Sequence, residues 1–397
     1  MTQKRLKFGA FMAPFHPTND NPVLCLERDL ELIEWLDKLG YDEVWLGEHH
    51  SGGWEISASP EIFIAAAAQR TRRIRFGTGV SSVPYHNIFM LADRLRQLEY
   101  LTHGRLMAGF GPGSLPADAY MQGINTAETR DILDDSMEYL VRLFRGETVT
   151  CDTKYCKLQD AMLQLEPYHE SGSELFVASQ VSPSGARLAG KYGLGMLSIG
   201  ATSTGGFNSL ASNWGIAEEV AKDYGNTVNR DQWRLVGPMH IAETREKAME
   251  NVRWGYHRWF DYFRNVAALP LAPDGVDPIQ QMIDSGFAVI GTPEDAIEQI
   301  HRLLEQSGGF GSFLHLAVNW ADWTETKKSY ELFARYVIPE VNRMNDSRRA
   351  SEKFLRDNNE KFKGQMQSAV KDSINKYAAS KGDKFIHPDL RDHSSKP

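Results

Sequence analysis

The sequence predicts an α/β protein built as a closed (β/α)8 barrel, the TIM-barrel class, and three observations lead there. Short apolar runs of strand length alternate with longer amphipathic stretches of helix length. Eight such units follow one another along the chain, which favours a closed barrel over an open doubly wound sheet. The 397 residues, 42% hydrophobic and 24% charged, have a globular composition and suffice for one large domain or two ordinary ones.

The first unit sets the pattern. Residues 6–13 (LKFGAFMA) read as a buried strand, residues 24–39 place Leu26, Leu30, Ile33 and Leu36 at helical spacing, and Gly40 supplies the stop. A second strand, 42–47, leads to a helix at 60–71, and a third, 74–82, to a helix from Ile88 to Leu101. After the turn His103-Gly104 come a fourth strand, 105–111, and a helix over 126–145. The fifth strand, 174–180, feeds a helix at 183–192, the sixth is 194–199, and 233–242 and 312–318 supply the seventh and eighth. Two stretches depart from the repeat. Residues 266–286, rich in Pro, Ala and Asp, read as a long loop after the aromatic helix 244–265. Beyond Asn345 the chain is charged and poor in large apolar residues, so 346–397 is expected as an appendage to a 1–345 barrel domain, lying on a neighbouring subunit.

Composition narrows the function. With 44 Lys and Arg against 52 Asp and Glu, a net charge of −8 offers no general attraction to phosphate backbones or anionic lipid, so neither nucleic acid nor membrane is an expected partner. Cys25, Cys151 and Cys156 form no CxxC pair and leave one over, which fits free thiols in a reducing compartment. No apolar run approaches the roughly 20 residues of a bilayer span, and residues 1–15 lack the core of a secretory signal. A cytoplasmic protein is the expectation.

Chemistry in such a barrel sits where strands end. Strand two ends in Glu48-His49-His50. Adjacent histidines in an extended segment point to opposite faces, so no shared metal is expected; either one turns inward as an acid or base, or it is a satisfied core residue. Strand three carries Gly77 and Gly79 before Val80, a sign of close approach by a ligand or of a bend. Strand four ends in Gly109-Phe110-Gly111-Pro112-Gly113, which lacks the GxGxxG spacing of a dinucleotide site but admits a flat ligand. Strand five ends in Ser179-Gln180-Val181-Ser182-Pro183-Ser184-Gly185, either a phosphate site at a helix N-terminus or ordinary capping by Ser182. For Thr292-Pro293-Glu294-Asp295 capping is favoured. His240 and His315 read as structural, although both lie on strands that could turn them into the barrel.

Taken together, KFGAFM, GYDEVWLGEHH, RFGTGVSSVPYHN, LTHGRLMAGFGPG, VASQVSPSGARLAGKYGLGML and VIGTPEDAIEQI occur in one order over roughly residues 5–345. In this the sequence resembles the bacterial luciferase-like flavin-dependent monooxygenases, and within them the limonene-monooxygenase-like group. The resemblance implies a barrel, commonly a homodimer, binding FMN at its C-terminal mouth. His49 matches the family's catalytic histidine, with Glu48 and His50 completing the motif. Gly79 and Val80 match the pair beside the flavin ring, often joined by a non-proline cis bond, with Gly109, Phe110 and Gly111 alongside. Ser179, Ser182, Ser184 and Gly185 match the phosphate turn, which moves that reading above capping. The implied reaction uses reduced FMN and O2, through a flavin C4a-hydroperoxide, to oxygenate a small apolar substrate such as a terpene. The expected pocket includes Phe11, Phe15 and Trp54, with 266–286 as a lid. No nicotinamide site is visible, so reduced flavin is expected from a separate NAD(P)H-dependent reductase. A deazaflavin (F420)-dependent hydride-transfer enzyme and a non-catalytic flavin carrier are the alternatives. Luciferase itself carries a reactive cysteine where this chain has Gly111, so light emission is not implied.

Overall fold

The barrel strands read as unbroken apolar runs because they are buried on both faces, by the barrel interior and by the helix layer. The computed structural model describes residues 5–13, 16–267, 277–382 and 386. Its strands are β1 Lys7–Met12, β2 Glu43–Leu46, β3 Arg75–Thr78, β4 Ser81–Ser82, β5 Leu106–Gly111, β6 Val149–Asp152, β7 Lys157–Ala161, β8 Leu175–Ser179, β9 Gly195–Ser198, β10 Trp233–Gly237, β11 Met239–Ile241, β12 Val289–Gly291 and β13 Ser312–Leu316. The strands β1, β2, β3, β5, β8, β9, β10 and β13 pair in parallel in that order, and β13 returns to β1. This is the closed eight-stranded barrel the sequence predicts, in the predicted strand order.

Strand periodicity divides the side chains into two sets. Phe11, Trp45, Met107, Phe176, Leu197, Val236 and Leu314 fill the interior. Beneath them Arg234 pairs with Glu43 at 3.2 Å, both 1% exposed, and the guanidinium lies over the Phe176 ring. The interior is therefore packed, and a ligand has to sit above it, at the mouth.

Three elements differ from expectation. The third strand is interrupted at Gly79-Val80, whose peptide bond is cis, and resumes as β4 beside Phe110 and Gly111. The seventh stops at Gly237 because Pro238 has no N–H to continue the ladder; β11 then leaves the barrel and pairs with β12. The expected loop 266–286 is partly helical: a π-helical turn, Tyr262–Val266, precedes it, and Pro278–Asp284 is a helix capped by Asp277. Its centre, 268–276, lies outside the described residues. The antiparallel pair β6–β7 has no counterpart in the sequence reading.

His315 does not reach the barrel interior. It faces the helix layer among Tyr41, Tyr330 and Phe333, where burial pushes it down to about 3. His240 is likewise buried against Asn251, at about 4. All three cysteines are buried and unpaired. Among the described residues no helix is long and apolar enough to cross a membrane, and no group of His, Cys, Asp and Glu could hold a metal. The chain divides into two units, Met1–Asn342 and Arg343–Pro397; the second contains the helices Asp346–Asp357 and Asn359–Lys381, neither with a buried residue.

Candidate active site

The ends of β1, β2 and β3 are drawn together by backbone bonds from Gly47 N to Met12 O at 2.9 Å and from Gly79 N to Leu46 O at 2.6 Å. The next join is made by one side chain. Thr78 Oγ1 donates to Gly109 O at 2.8 Å and accepts from Gly109 N at 2.9 Å, tying β3 to β5 just below the mouth. The surface above is kept low by missing side chains. A Cβ on Gly79 would stand 2.8 Å from the Phe11 ring, one on Gly109 would overlap the Thr78 carbonyl, and one on Gly111 would press on Val80 and approach Ala178. Gly79, Val80 and Gly111 thus form a shelf over the interior on which a planar ring could lie. Phe110, expected with them, is turned away: alternation along β5 sends it into the helix layer, 6.1 Å from Phe144.

The turn after β8 has the features of an anion site. Gly185 is packed so closely on the Ala178 carbonyl that no Cβ fits, which seats the Ser184–Tyr192 helix on the strand end. No side chain caps that helix, so Ser182 does not act as the cap; its Oγ lies 3.1 Å from Ser184 Oγ, with Ser182 exposed and Ser184 half-buried. Ser179 Oγ is buried without a hydrogen-bond partner among the described residues. Free backbone donors, the Ser182 and Ser184 hydroxyls and an orphaned one suit a phosphate monoester, so turn and shelf together fit a flavin-type cofactor. Thr292 and Asp295, by contrast, form a complete capping box.

The Glu48-His49-His50 motif separates into two roles. Glu48, 5% exposed, accepts from His50 Nε2 at 2.8 Å, His86 Nε2 at 2.9 Å and Ser82 N at 2.7 Å. Burial pushes its carboxyl up, but His86, Ser82 and His50 outweigh this and hold it below the usual range. It ties the β2 loop to β4. His50 also lies edge-on to Tyr85, whose phenol is pushed up to about 12 by burial, Asp118 and Glu48.

His49 lies between two carboxylates at the mouth. Its Nδ1 lies 3.3 Å from Asp118 Oδ2, its Nε2 lies 3.2 Å from Glu55 Oε2, and its backbone N–H donates to Ser57 O. Burial lowers its proton affinity, yet Glu55 and Asp118 together raise it above the ordinary value. Asp118, itself bound by His49 Nδ1, Ser51 Oγ and His50 N, is held below the usual carboxylate range despite burial. Trp54 lines the same region, its ring 5.7 Å from that of Tyr262, and its carbonyl accepts from His16 N–H. Phe11 lies under the shelf, whereas Phe15 is outside the described residues.

Sequence reasoning missed Asp118, Glu55 and Tyr262. Asp118 is 69 positions from His49 and carries no local motif. Glu55 has the weak signal of sharing the β2 loop, and Tyr262 sits in an aromatic run that reads as core.

A closed parallel barrel with a histidine between two carboxylates and a glycine-lined shelf at its C-terminal mouth sets the class: a TIM-barrel protein with a candidate oxidoreductase site. Residues 6–310 match the luciferase-like monooxygenase family, and the chain belongs to that family. It is 49% identical to limonene 1,2-monooxygenase of Rhodococcus erythropolis over 85% of this chain and 87% of that protein. Among solved structures, the oxygenating constituent of 3,6-diketocamphane monooxygenase of Pseudomonas putida, in complex with FMN, is similar with a TM-score of 0.71 and 23% identity, over 85% of this chain and 99% of that one. The coenzyme F420-dependent tetrahydromethanopterin reductase of Methanopyrus kandleri shares the fold with a TM-score of 0.63 and 19% identity, over 85% and 100%.

Proposed function

We propose that this protein is the oxygenase component of a two-component system, which takes reduced FMN from a separate NAD(P)H-dependent reductase and uses O2 to oxygenate a small apolar substrate, limonene being the first to test. The observation that carries the reading is His49 held between two carboxylates at a mouth that also carries the Gly79, Val80 and Gly111 shelf. The limonene 1,2-monooxygenase relative directs the choice of substrate.

Gly79, Val80 and Gly111 would hold the flavin ring, and Ser179, Ser182, Ser184 and Gly185 its phosphate. Reduced flavin supplies two electrons, so that one oxygen atom enters the substrate and the other leaves as water. The residues of this chain manage protons and exclude solvent. His49, whose proton affinity Glu55 and Asp118 raise above the ordinary value, offers a proton at the mouth and can take one back. Phe11, Trp54 and the packed interior keep the floor apolar, which favours an uncharged substrate and slows proton leakage.

The test is single turnover: protein and reduced FMN mixed without oxygen, then exposed to 18O2 with limonene, the products read by mass spectrometry. One labelled oxygen in the product per FMN oxidised is expected. Stoichiometric hydrogen peroxide whether or not substrate is present would overturn the reading. Oxidation of reduced F420 by a carbonyl substrate without oxygen uptake would replace it with hydride transfer, the reaction class the shared fold also accommodates.

A further inference from the structure

Glu55 has no place in the sequence motif, yet it is 8% exposed and its Oε2 is a buried carboxylate oxygen with no conventional hydrogen bond among the described residues. The charge it faces is His49 Nε2, 3.2 Å away. Its other oxygen, Oε1, accepts from the Tyr262 hydroxyl, which arrives from the far side of the sequence on the π-helical turn Tyr262–Val266. Burial and the neighbouring Glu55 both push the Tyr262 phenol far above its ordinary value, so it stays a donor. The imidazole is thereby gripped at both nitrogens by groups from separate elements: Asp118 from the Pro116–Met121 helix and Glu55 from the β2 loop.

We propose that Glu55 is a positioning residue for His49, holding the imidazole through Nε2 while Asp118 holds Nδ1, and that Tyr262 fixes Glu55 in that place through its second oxygen. This rests on the reading of His49 as the proton-handling group and extends it to the residues that set its protonation. The other charged groups around the ring do not substitute for Glu55. Glu48 is occupied by His50, His86 and Ser82, the Tyr85 phenol is neutral beside Asp118 and Glu48, and Asp118 reaches only the other nitrogen. Two carboxylates around one imidazole favour the charged ring, and a buried carboxylate without a geometric constraint would swing to another donor.

The titration of His49 decides the matter on the full chain without flavin or substrate. In protein carrying 15N-histidine, with His49 assigned by its loss in His49→Asn, Glu55→Gln is expected to lower the His49 midpoint by about one pH unit, a roughly tenfold lower imidazolium-to-imidazole ratio at a given pH. Glu55→Asp is expected to restore part of the shift, and Tyr262→Phe to produce a smaller one. A midpoint unchanged in both Glu55→Gln and Tyr262→Phe overturns the proposal, even if both variants melt earlier, because a structural role alone moves stability and not this titration. If Glu55→Gln does not fold, Glu55→Asp and Tyr262→Phe decide by the same reading. Failure of the 18O2 experiment would remove the oxygenase reading and leave this result standing, since neither flavin nor oxygen is present. In active enzyme, the pH at which kcat falls should move down in Glu55→Gln while KM for limonene is unchanged.

Discussion

Glu48 and His49 are adjacent, yet folding changes their proton affinities in opposite directions. Glu48 is held below its ordinary 4.5 by three donors, so its stabilisation is present above about that pH and disappears as pH falls through the lower folded value. His49 is raised above its ordinary 6.5, so its contribution is complete below that pH and is lost as pH rises through the higher folded value. These two contributions are both complete only between about pH 4.5 and 6.5, and over the same range the buried His240 and His315, held neutral down to about 4 and 3, work the other way and cost stability as pH falls. Replacing Glu48 by Gln removes the negative charge and one of the two acceptor oxygens that serve His50, His86 and Ser82, and hydrogen bonds to a charged group contribute about 1.5–3 kcal/mol. Urea unfolding at neutral pH should therefore show a loss of that order in Glu48→Gln. The gap to wild type should begin to close below about pH 4.5 and vanish as pH falls through the lower folded value, where wild type loses the same charge. A gap independent of pH would mean that the carboxylate's charge is not what holds the β2 loop to β4.

At the level of elements, the sequence displays the barrel strands because both faces of each are apolar, and it displays the helices through their spacing. It conceals the site partners. His49 stands in a recognisable motif, but Asp118 and Tyr262 reach its neighbourhood only because the Pro116–Met121 helix and the Tyr262–Val266 turn close over the same mouth, a tertiary fact without a local pattern. Phe110, expected beside the flavin ring, lies in the helix layer for a related reason: its neighbours Gly109 and Gly111 face inward, and alternation must then send it outward. The glycines, by contrast, are legible as close approaches, and the structure shows to what. Gly109→Ala should cost about 1–3 kcal/mol or more, because its Cβ would overlap the Thr78 carbonyl and press on Trp45 in an already packed interior. Gly215→Ala, in the Thr204–Asp223 helix with nothing within 4 Å of the added Cβ, should instead stabilise by about 0.5–1 kcal/mol. Thermal unfolding of the pair separates glycines that the shelf requires from those that it does not.

On the scale of the whole molecule, the chain is one barrel unit followed by a charged helical one. The polar, charge-rich composition after Asn345 signals that no second core forms there, but it does not signal helices, because lone helices of that composition gain little from propensity alone. In the structure the Asp346–Asp357 and Asn359–Lys381 helices bury no residue, and Phe354, Leu355 and Met366 remain more than half exposed at 58%, 55% and 72%. Apolar surface that is not removed from water contributes nothing to the unfolding free energy of the barrel. Ending the chain after Asn342 should accordingly change the barrel's Tm by no more than about 2 °C, a shift that corresponds to about 1.4 kcal/mol in a domain of this size. It should also leave intact the ties that shape the mouth, Thr78 to Gly109 and Glu48 to His86, since both lie within Met1–Asn342. Differential scanning calorimetry of the shortened chain checks this, and a drop of 5 °C or more would show that the second unit stabilises the first.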